Sequence, residues 1–507
     1  MPIRTGPSKK TGSRKRKIEL NFEVQDFGPI GHGKVALKPL TLFVGPNNSG
    51  KSYLAMLMHS VFEAYSLTGF PKGGSFFMRR GFLRKPLNVH VIAEQFRDMK
   101  AQMGDLREGR EGAIPQEFVQ GVCKKIFEEI YERRLSDEII RSYACRLREL
   151  VRVGKKSFAL KIGFDSHTAD LTYQIRKGSR LKMSVFPELD VKISIKPCAT
   201  LGGIRIQRGK KSGNVLLEIS EKLWKDSDLI FPFTDILLDI CASEILETVR
   251  MSCFYLPAAR SGILQGHKAL AASIVSKAPY AGIERLEIPK FSGVVSDFIS
   301  SLLTLSEKKG PFYSLAQEFE KDLIRGEIVV RALDEYVPEI KYVFQKTEIP
   351  LHRASSTVSE LAPLFLYLKY TIEPGSILII EEPEAHLHPG NQRILAKFLV
   401  KLVRRGVNIT VTTHSEYLLR QLSSFIMLSK VKPQKRVKKY KYTEEDFLQA
   451  EEVAAYVFDY DETSGGHKIR EIEITGEDGI SQEEFLKIHE ALYEETLKLR
   501  RDLSSKT

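Results

Sequence analysis

A short glycine-rich segment near the start of this 507-residue chain restricts the folds open to it more than any other feature. The segment fits the pattern G-x-x-x-x-G-K-[ST], in which a phosphate-binding loop joins a buried strand to a helix. An apolar run from Leu40 to Val44 precedes it, and a helix-like run from Tyr53 to Phe62 follows it. An α/β fold that binds phosphate is therefore predicted. The eight residues of the loop are Gly45, Pro46, Asn47, Asn48, Ser49, Gly50, Lys51 and Ser52.

The residue types of this loop suit a nucleoside triphosphate. Backbone N–H groups and the N-terminus of the following helix attract phosphate oxygens. Lys51 is predicted to pair with the β- and γ-phosphates, and Ser52 to place its hydroxyl on Mg²⁺. The metal should be held by hydroxyl, water and phosphate oxygens, as suits a small hard cation. Phe27, in the turn between two earlier predicted strands, could stack on adenine, and core packing is the alternative for it.

A second predicted strand ends in two adjacent carboxylates. The run from Ile377 to Ile380 is apolar, and Glu381, Glu382 and Pro383 follow it. Such a run is typical of a buried parallel strand, and open α/β sheets bind ligands at the carboxyl ends of their strands. Two acids at such a place are costly unless a cation or a reaction uses them. The alternative is a strand that ends in an exposed acidic turn.

Two more stretches complete the pattern. The run from Val407 to Thr413 predicts a β-branched strand that ends at His414. A hydroxyl-rich turn that contains Ser355 and Ser356 begins a predicted helix just before the acidic strand. Taken alone, His414 would be a packed core histidine, and Ser355 an ordinary helix N-cap.

The order of these four stretches resembles the ABC-type ATPase domain of the OLD-nuclease/RecF-like family. The similarity covers residues 18–65 and 251–428, and the run EEPEAHLHP from Glu381 to Pro389 is its most specific part. The run YLPAARSG from Tyr255 to Gly262 resembles the strand-exit motif of the family. The resemblance implies that the nucleotide is ATP, that the reaction is hydrolysis to ADP and phosphate, and that two lobes dimerise around ATP.

The resemblance also implies roles for single residues. Glu381 matches the acid that holds the water shell of Mg²⁺, and Glu382 matches the acid that polarises the attacking water. His414 matches the histidine that contacts the γ-phosphate. Ser355 and Ser356 match the signature segment, which contacts the γ-phosphate of the opposite subunit. These roles agree with phosphoryl transfer, which depends on positioning and charge neutralisation more than on covalent chemistry.

The chain departs from the family pattern in particular places. Glu381 stands where most members have Asp, and Thr357 stands where many have Gly. Gln95 is the candidate for the glutamine loop of the family. His386 and His388 form a His-x-His pair that could ligate a metal, but the resemblance implies that they belong to a loop linking the two sites of a dimer. No metal is assigned to them.

The predicted fold class is α/β, with an ABC-type P-loop ATPase lobe, a large helical plus antiparallel-β insertion and a small C-terminal α+β extension. The distance of 330 residues between Lys51 and Glu381 indicates the insertion. No heptad repeat extends over several turns, so no long coiled-coil arm is predicted. The predicted division is a basic disordered tail at 1–17, the lobe at 18–65 and 251–430, an insertion arm that is helical and then a β-meander at 66–250, and the C-terminal extension at 431–507.

Charge and composition bear on the partners. The formal net charge is +13, and basic residues concentrate in residues 1–17 and 430–441. Basic runs with interleaved aromatic residues suit the phosphate backbone of DNA, and a solvated surface is the alternative. No apolar run approaches twenty residues, and the five cysteines form no C-x-x-C pair. We therefore expect a cytoplasmic protein with reduced thiols and no membrane partner.

Two functions agree with these features. The first is ATP hydrolysis by lobes that dimerise around ATP, in DNA-linked defence or genome maintenance. The second is an ATP-gated scaffold or sensor that assembles and holds a separate effector, such as a nuclease, in a two-component anti-phage system. Asp459 and Asp461 resemble the acidic pair of a Toprim nuclease domain, but the segment around them is too short for one, so a plain hairpin is expected. The chain contains no L-S-G-G-Q stretch, which argues against a transporter motor.

Overall fold

The fold is organised around an eleven-stranded sheet. The predicted basic tail and Gln95 lie outside the residues described by this computed structural model. The described residues are 20–65, 112–113, 116–164, 167–175, 181–187, 193–198, 203–208, 215–220, 251–266, 291–305, 308–334, 337–483 and 493–500.

The strands of the described residues form four sheets, and the largest has the order β11-β15-β16-β3-β17-β18-β2-β1-β5-β6-β7. The smaller sheets have the orders β10-β9-β8-β4, β12-β13-β14 and β19-β20. In chain order the strands are β1 (Asn21–Phe27), β2 (Ile30–Ala36), β3 (Leu40–Val44), β4 (Gly112–Ala113), β5 (Ser157–Phe164), β6 (His167–Gln174), β7 (Lys182–Pro187), β8 (Ile193–Cys198), β9 (Gly203–Arg208), β10 (Val215–Ser220), β11 (Cys253–Leu256), β12 (Glu327–Asp334), β13 (Val337–Phe344), β14 (Thr347–Pro350), β15 (Ile377–Glu381), β16 (Asn408–Thr413), β17 (Val453–Asp461), β18 (Gly466–Ile472), β19 (Ile474–Thr475) and β20 (Gly479–Ile480).

The first five strands in the order of the large sheet are parallel, and β3, β11 and β15 among them are short and mostly apolar. Every residue of β3 and β15 is buried, because parallel strands are covered on both faces. Leu40, Leu42 and Val44 pack into one hydrophobic core, whereas Phe43 packs into the other. The alternation of side chains along β3 therefore divides the interior into two layers.

Helices cover both faces of the parallel strands. The helix after the phosphate loop packs in the core that contains Phe43, and the helices after residue 310 pack in the other core. The confirmed fold class is therefore a mixed α/β lobe. The main helices of the described residues are α1 (Lys51–Tyr65), α2 (Gln116–Tyr143), α3 (Gly293–Leu303), α4 (Tyr313–Ile324), α5 (Ser356–Tyr370), α6 (Pro389–Arg404) and α7 (Glu416–Met427).

The β-meander predicted for the second half of the arm corresponds to six strands, β5 to β10, but they do not form one meander. Strands β5, β6 and β7 continue the large sheet from β1, whereas β8, β9 and β10 form a separate sheet with β4. Near the C-terminus, β17 pairs with β3, and β18 pairs with β2. The proposed division into a lobe, an arm at 66–250 and an extension at 431–507 stays a prediction. Strands of the arm (β5 to β7) and of the extension (β17 and β18) are hydrogen-bonded into the large sheet.

No helix of the described residues is long and apolar enough to cross a membrane.

Candidate functional site

The predicted site residues leave the sheet at one edge because three parallel strands are in register. Glu381 at the end of β15 lies opposite Thr412 of β16, and Thr413 lies opposite Val44, the last residue of β3. Glu382, His414 and the phosphate loop therefore follow neighbouring strands at the same level. This is the carboxyl edge, where open α/β sheets bind their ligands.

The phosphate loop takes the conformation that its glycines permit. Gly45 and Gly50 have φ values of 141° and 103°, in a region that side chains rarely adopt. A Cβ at Gly45 would lie 2.8 Å from the carbonyl oxygen of Phe458, and one at Gly50 would lie 2.7 Å from Cγ1 of Ile30. Asn48 is also left-handed, with φ 61°. The loop thus packs against β17 and the turn between β1 and β2, and it leads directly into α1.

The ammonium of Lys51 lies over the loop. Its Nζ donates to the carbonyl oxygens of Gly45 at 3.0 Å and of Pro46 at 2.7 Å. Burial lowers the pKa of Lys51 to about 8, although three neighbouring carboxylates raise it. Those carboxylates belong to Glu382, Glu381 and Glu384. Lys51 and the acids at the end of β15 therefore lie in one electrostatic environment. Ser52, the residue after Lys51, is exposed.

Glu381 has one satisfied and one unsatisfied oxygen. Its side chain is 7% exposed, and Oε2 accepts a hydrogen bond from the backbone N–H of Ala258 at 3.1 Å. Oε1 is buried and has no hydrogen bond of ordinary geometry among the described residues, and the hydroxyl of Tyr255, which also has none, lies close to this carboxylate. Burial raises the pKa of Tyr255 well above its usual value, and the charge of Glu381 adds to this effect. A buried carboxylate oxygen without a partner is costly unless another group completes its shell.

Glu382 is the more exposed of the two acids and has a strained backbone. Its φ is 43°, and its N–H donates to the carbonyl oxygen of Thr412 at 2.9 Å. Its Oε1 lies 3.6 Å from Nε2 of His414. Left-handed backbone at a non-glycine residue costs free energy and is frequent at functional sites. The turn directs this carboxylate outward and beside the histidine.

His414 and Glu384 are tied to each other through the backbone. The Oε1 of Glu384 accepts from the N–H of His414 at 2.9 Å and from the hydroxyl of Thr413 at 2.6 Å. Burial lowers the pKa of His414, and the charge of Lys51 lowers it further, against the charge of Glu382. The imidazole is therefore neutral at pH 7 and can donate or accept a hydrogen bond.

Arg260 connects the acidic strand to helix α5, at whose start the predicted signature segment lies. Its guanidinium donates to the carbonyl oxygens of Glu381 at 2.7 Å and of Pro257 at 3.0 Å, and it also reaches that of Glu382 at 3.4 Å. Its Nε lies 3.1 Å from the carboxylate of Glu360 in α5, and both side chains are 2% exposed. Glu360 also accepts from the hydroxyl of Ser261 at 2.6 Å. The sequence identified the strand-exit motif around Arg260 but gave this arginine no role.

The predicted signature segment lies at the N-terminus of α5. Ser355 is the N-cap of this helix, and its hydroxyl oxygen accepts from the N–H of Val358 at 3.4 Å. Ser355 and Ser356 are exposed. The hydroxyl of Thr357 donates to the carbonyl oxygen of His386 at 2.9 Å, so this segment contacts the loop after β15. Within one chain, no hydrogen bond of the described residues joins the two serines to the phosphate loop.

A cleft of about 470 Å³ opens beside Glu382. Its walls are the loop after β15, the first turn of α6 and the start of α7. Gln392 of α6 spans the cleft floor, because its Nε2 donates to Leu387 O at 3.0 Å and its Oε1 accepts from the hydroxyl of Ser415 at 2.5 Å. The lining residues are Glu382, Glu384, Ala385, Gln392, His414, Ser415, Glu416 and Tyr417.

Two other sequence candidates have local structural roles. Phe27 is fully buried against Tyr53, Tyr143 and Phe158, so core packing is the outcome for it. The Nδ1 of His388 caps α6 by accepting from the N–H of Gly390. Among the described residues no group of three or more His, Cys, Asp or Glu side chains could hold a metal ion.

The acidic pair near the C-terminus lies in a hairpin. Strands β17 and β18 are antiparallel. Asp459 forms an ion pair with Arg470 at 3.1 Å, and Oδ1 of Asp461 accepts from the backbone and the hydroxyl of Thr463. Both acids therefore have partners within the hairpin itself.

Comparison with protein families identifies an ATPase domain that includes part of the candidate site. Residues 281–419 match the family described as AAA ATPase domain. The matched range contains the signature segment, the acidic strand and His414. The prediction that the chain is an ATPase is confirmed, and ATP is the nucleotide that such a domain uses. No curated protein matches the chain.

Solved structures give only a distant similarity. The SMC head domain from Thermotoga maritima has 10% identity and a TM-score of 0.31, with 90% of this chain and 100% of that chain covered. A structure of the recombination mediator protein RecF-ATPrS has 9% identity and a TM-score of 0.33, with 91% and 100% covered. At TM-scores this low, the similarity does not establish a shared fold.

Proposed function

We propose that this chain hydrolyses ATP between two copies of its ATPase lobe, in DNA-linked defence or genome maintenance. The observation that carries the proposal is the convergence of Lys51, Glu382 and His414 at one edge of three parallel strands. Lys51 neutralises the β- and γ-phosphates, Glu382 orients the attacking water, and His414 contacts the γ-phosphate. Each of these roles fits phosphoryl transfer by positioning and electrostatics. The OLD-nuclease/RecF-like family is the assignment we favour within the ATPases.

The metal that accompanies ATP in this proposal is Mg²⁺. Ser52 offers an exposed hydroxyl at the start of α1, and Glu381 offers a buried Oε1 without a hydrogen bond of ordinary geometry among the described residues. These donors fit a hard cation that keeps several of its waters. Glu381 would hold a water of the metal shell, while its Oε2 stays bonded to Ala258. Mg²⁺ when bound would neutralise charge on the β- and γ-phosphates.

The second copy of the lobe supplies the part that one chain lacks. Ser355 and Ser356 are exposed at the N-terminus of α5, where backbone N–H groups attract a phosphate. They have no hydrogen bond to the phosphate loop of their own chain. The γ-phosphate bound by one copy would therefore meet the signature segment of the other. The contact between Thr357 and the backbone of His386 holds this segment beside the loop that follows the catalytic acids.

The steady-state rate of ATP hydrolysis with and without duplex DNA tests the proposal. We expect hydrolysis that duplex DNA stimulates, and the stimulation should weaken steeply as salt rises, because phosphate contacts release counterions. If no nucleic acid changes the rate of hydrolysis, the DNA-linked part of the proposal is wrong. It would favour the second candidate, an ATP-gated scaffold or sensor that holds a separate effector such as a nuclease. Absence of hydrolysis would contradict both.

A further inference from the structure

A short exposed segment between α7 and β17 carries an unusual density of positive charge. This segment, residues 432–441, is called the basic turn below. We propose that the basic turn binds the phosphate backbone of duplex DNA, an inference that rests on the DNA-linked function proposed above. Its lysines are Lys432, Lys435, Lys438, Lys439 and Lys441, and all five are exposed.

The lysines of the basic turn are available for a ligand. None of the five forms an ion pair with a carboxylate among the described residues. Four of the five acids between the turn and β17 pair with arginines or with Lys397, and none of the five acids pairs with one of the five lysines. Glu444 pairs with Arg436, Glu445 with Arg405, Asp446 with Lys397, and Glu452 with Arg404. Several unpaired lysines on ten residues attract a polyanion.

The conformation of the basic turn is fixed by a buried arginine. Arg436 is 6% exposed, and its guanidinium lies 4.0 Å from the ring centroid of Phe447. Its Nη2 lies 3.4 Å from Glu444. Lys441 ends the turn with φ 59°, and the N–H of Tyr442 donates to Arg436 O at 3.2 Å. Because the backbone is held in this way, binding would order only the lysine side chains. The loss of conformational entropy is therefore smaller than for a segment whose backbone must also be ordered.

An exposed aromatic ring in the basic turn favours a nucleic acid over other polyanions as its ligand. Tyr440 is 45% exposed, and the Nζ of Lys439 lies 5.2 Å from its ring centroid. Lysines interleaved with an aromatic ring are typical of surfaces that follow a nucleic-acid backbone. The turn contains only single helical turns, Pro433–Lys435 and Arg436–Tyr440. It therefore lacks the long amphipathic helix that lies on a membrane surface.

The basic turn lies at the opposite edge of the sheet from the ATP site. Helix α7, whose N-cap is Ser415, begins next to the carboxyl end of β16, and the chain enters β17 at Val453, opposite Leu40 at the start of β3. The turn between them is thus at the amino edge of the parallel strands. Substitutions there should leave hydrolysis without DNA unchanged, while they weaken DNA binding.

The test is the affinity of the full chain for a labelled short DNA duplex, measured by fluorescence anisotropy over a range of salt concentrations. The variant is Lys435→Gln/Lys438→Gln/Lys439→Gln. The matched control is Lys34→Gln/Lys182→Gln/Lys346→Gln, which removes the same charge from exposed lysines elsewhere. We expect the variant to lower the slope of log affinity against log salt by about 3, or roughly one per lost phosphate contact, and the control to leave it unchanged.

Each alternative result overturns the proposal. Equal weakening by the variant and its control would mean that net charge alone attracts DNA. An unchanged affinity in the variant would place the DNA contact elsewhere. Loss of binding to phosphatidylserine vesicles in the variant, with DNA binding unchanged, would assign the turn to a membrane. Hydrolysis of ATP without DNA, measured in the same samples, reports separately on the proposed ATPase mechanism.

Discussion

The buried guanidinium of Arg260 lies 3.1 Å from the buried carboxylate of Glu360 and also donates to the carbonyl oxygen of Glu381. This arrangement connects helix α5 to the end of the strand that carries the two acids proposed to be catalytic. A buried ion pair is stable only when its remaining donors and acceptors find partners, and Arg260 finds them in backbone carbonyls. If the proposed dimer forms, movement of α5 on contact with the second lobe would be transmitted to the acids.

Replacement of Arg260 by lysine should reduce turnover more than ATP binding. An ammonium cannot reproduce the planar set of donors that holds several carbonyls at once, so the acids would lose their position. We expect kcat to fall by about 10², the loss that small misplacements of catalytic groups cause. The KM for ATP should change little, because Arg260 does not contact the phosphate loop.

The control for this substitution is Arg331→Lys, at an exposed ion pair with Glu348. It should have no measurable effect on either constant, because exposed pairs contribute little. A folded Arg260→Lys protein with normal kcat would refute the positioning role. So would a KM that rises in proportion to the loss of kcat.

Replacement of Glu382 by glutamine should separate ATP binding from hydrolysis. The amide keeps the shape of the side chain but cannot accept a proton from water, and general-base assistance is worth about 10² to 10⁴ in rate. We therefore expect hydrolysis to fall within that range while ATP affinity is retained. An ATP-dependent dimer should persist in this variant and be visible by size-exclusion chromatography. If the variant runs as a monomer in ATP, the proposed dimer around bound nucleotide is wrong.

Binding of ATP should take up protons above pH 8. The free chain loses the Lys51 proton near its pKa of about 8. The negative charge of the triphosphate favours the ammonium, which raises the pKa in the complex. Between the two pKa values the complex holds a proton that the free chain lacks, so affinity falls as pH rises.

Calorimetry near pH 9 in buffers of different ionisation enthalpy measures this uptake. Lys51→Arg is the matched variant, because arginine stays charged and contributes no uptake. Equal proton uptake in the wild type and in Lys51→Arg would mean that Lys51 is not the titrating group.

Replacement of Gly50 by alanine should distort the phosphate loop. The added Cβ would lie 2.7 Å from Cγ1 of Ile30 and 3.1 Å from Cγ of Pro29, and φ there is 103°. Strain of this kind costs about 1–3 kcal/mol. We expect a lower free energy of unfolding in urea and a weaker affinity for ATP.

Gly121→Ala in α2 serves as the control, because nothing lies within 4 Å of its Cβ position. It should keep or slightly raise the stability, since alanine favours a helix interior over glycine. Unchanged ATP affinity in Gly50→Ala would argue against the assigned loop.

The sequence predicted those parts of the site that local patterns determine. The loop around Lys51, the strand that ends in Glu381 and the strand that ends before His414 each have a buried run followed by polar residues. Their meeting at one edge follows from parallel pairing. The N-cap at Ser355 also follows from a local pattern.

The contacts between distant segments could not be predicted in this way. Arg260 bonds to residues 100 and 121 positions away, and no periodicity encodes such partners. Strands β5 to β7 alternate in polarity. This alternation indicates the face that is exposed to solvent, but it does not identify the strand that pairs with β5. Phe27 belongs to the core because Tyr53, Tyr143 and Phe158 surround it, and these come from three other elements.

The most direct test of the account is the rate of ATP hydrolysis per chain, measured over a range of protein concentrations for the wild type and for Glu382→Gln. If the signature segment of one copy completes the site of the other, the wild-type rate per chain rises with concentration and then levels off. Glu382→Gln should stay at background at every concentration. A wild-type rate per chain that is independent of concentration at all accessible values, or normal hydrolysis in Glu382→Gln, would contradict the account.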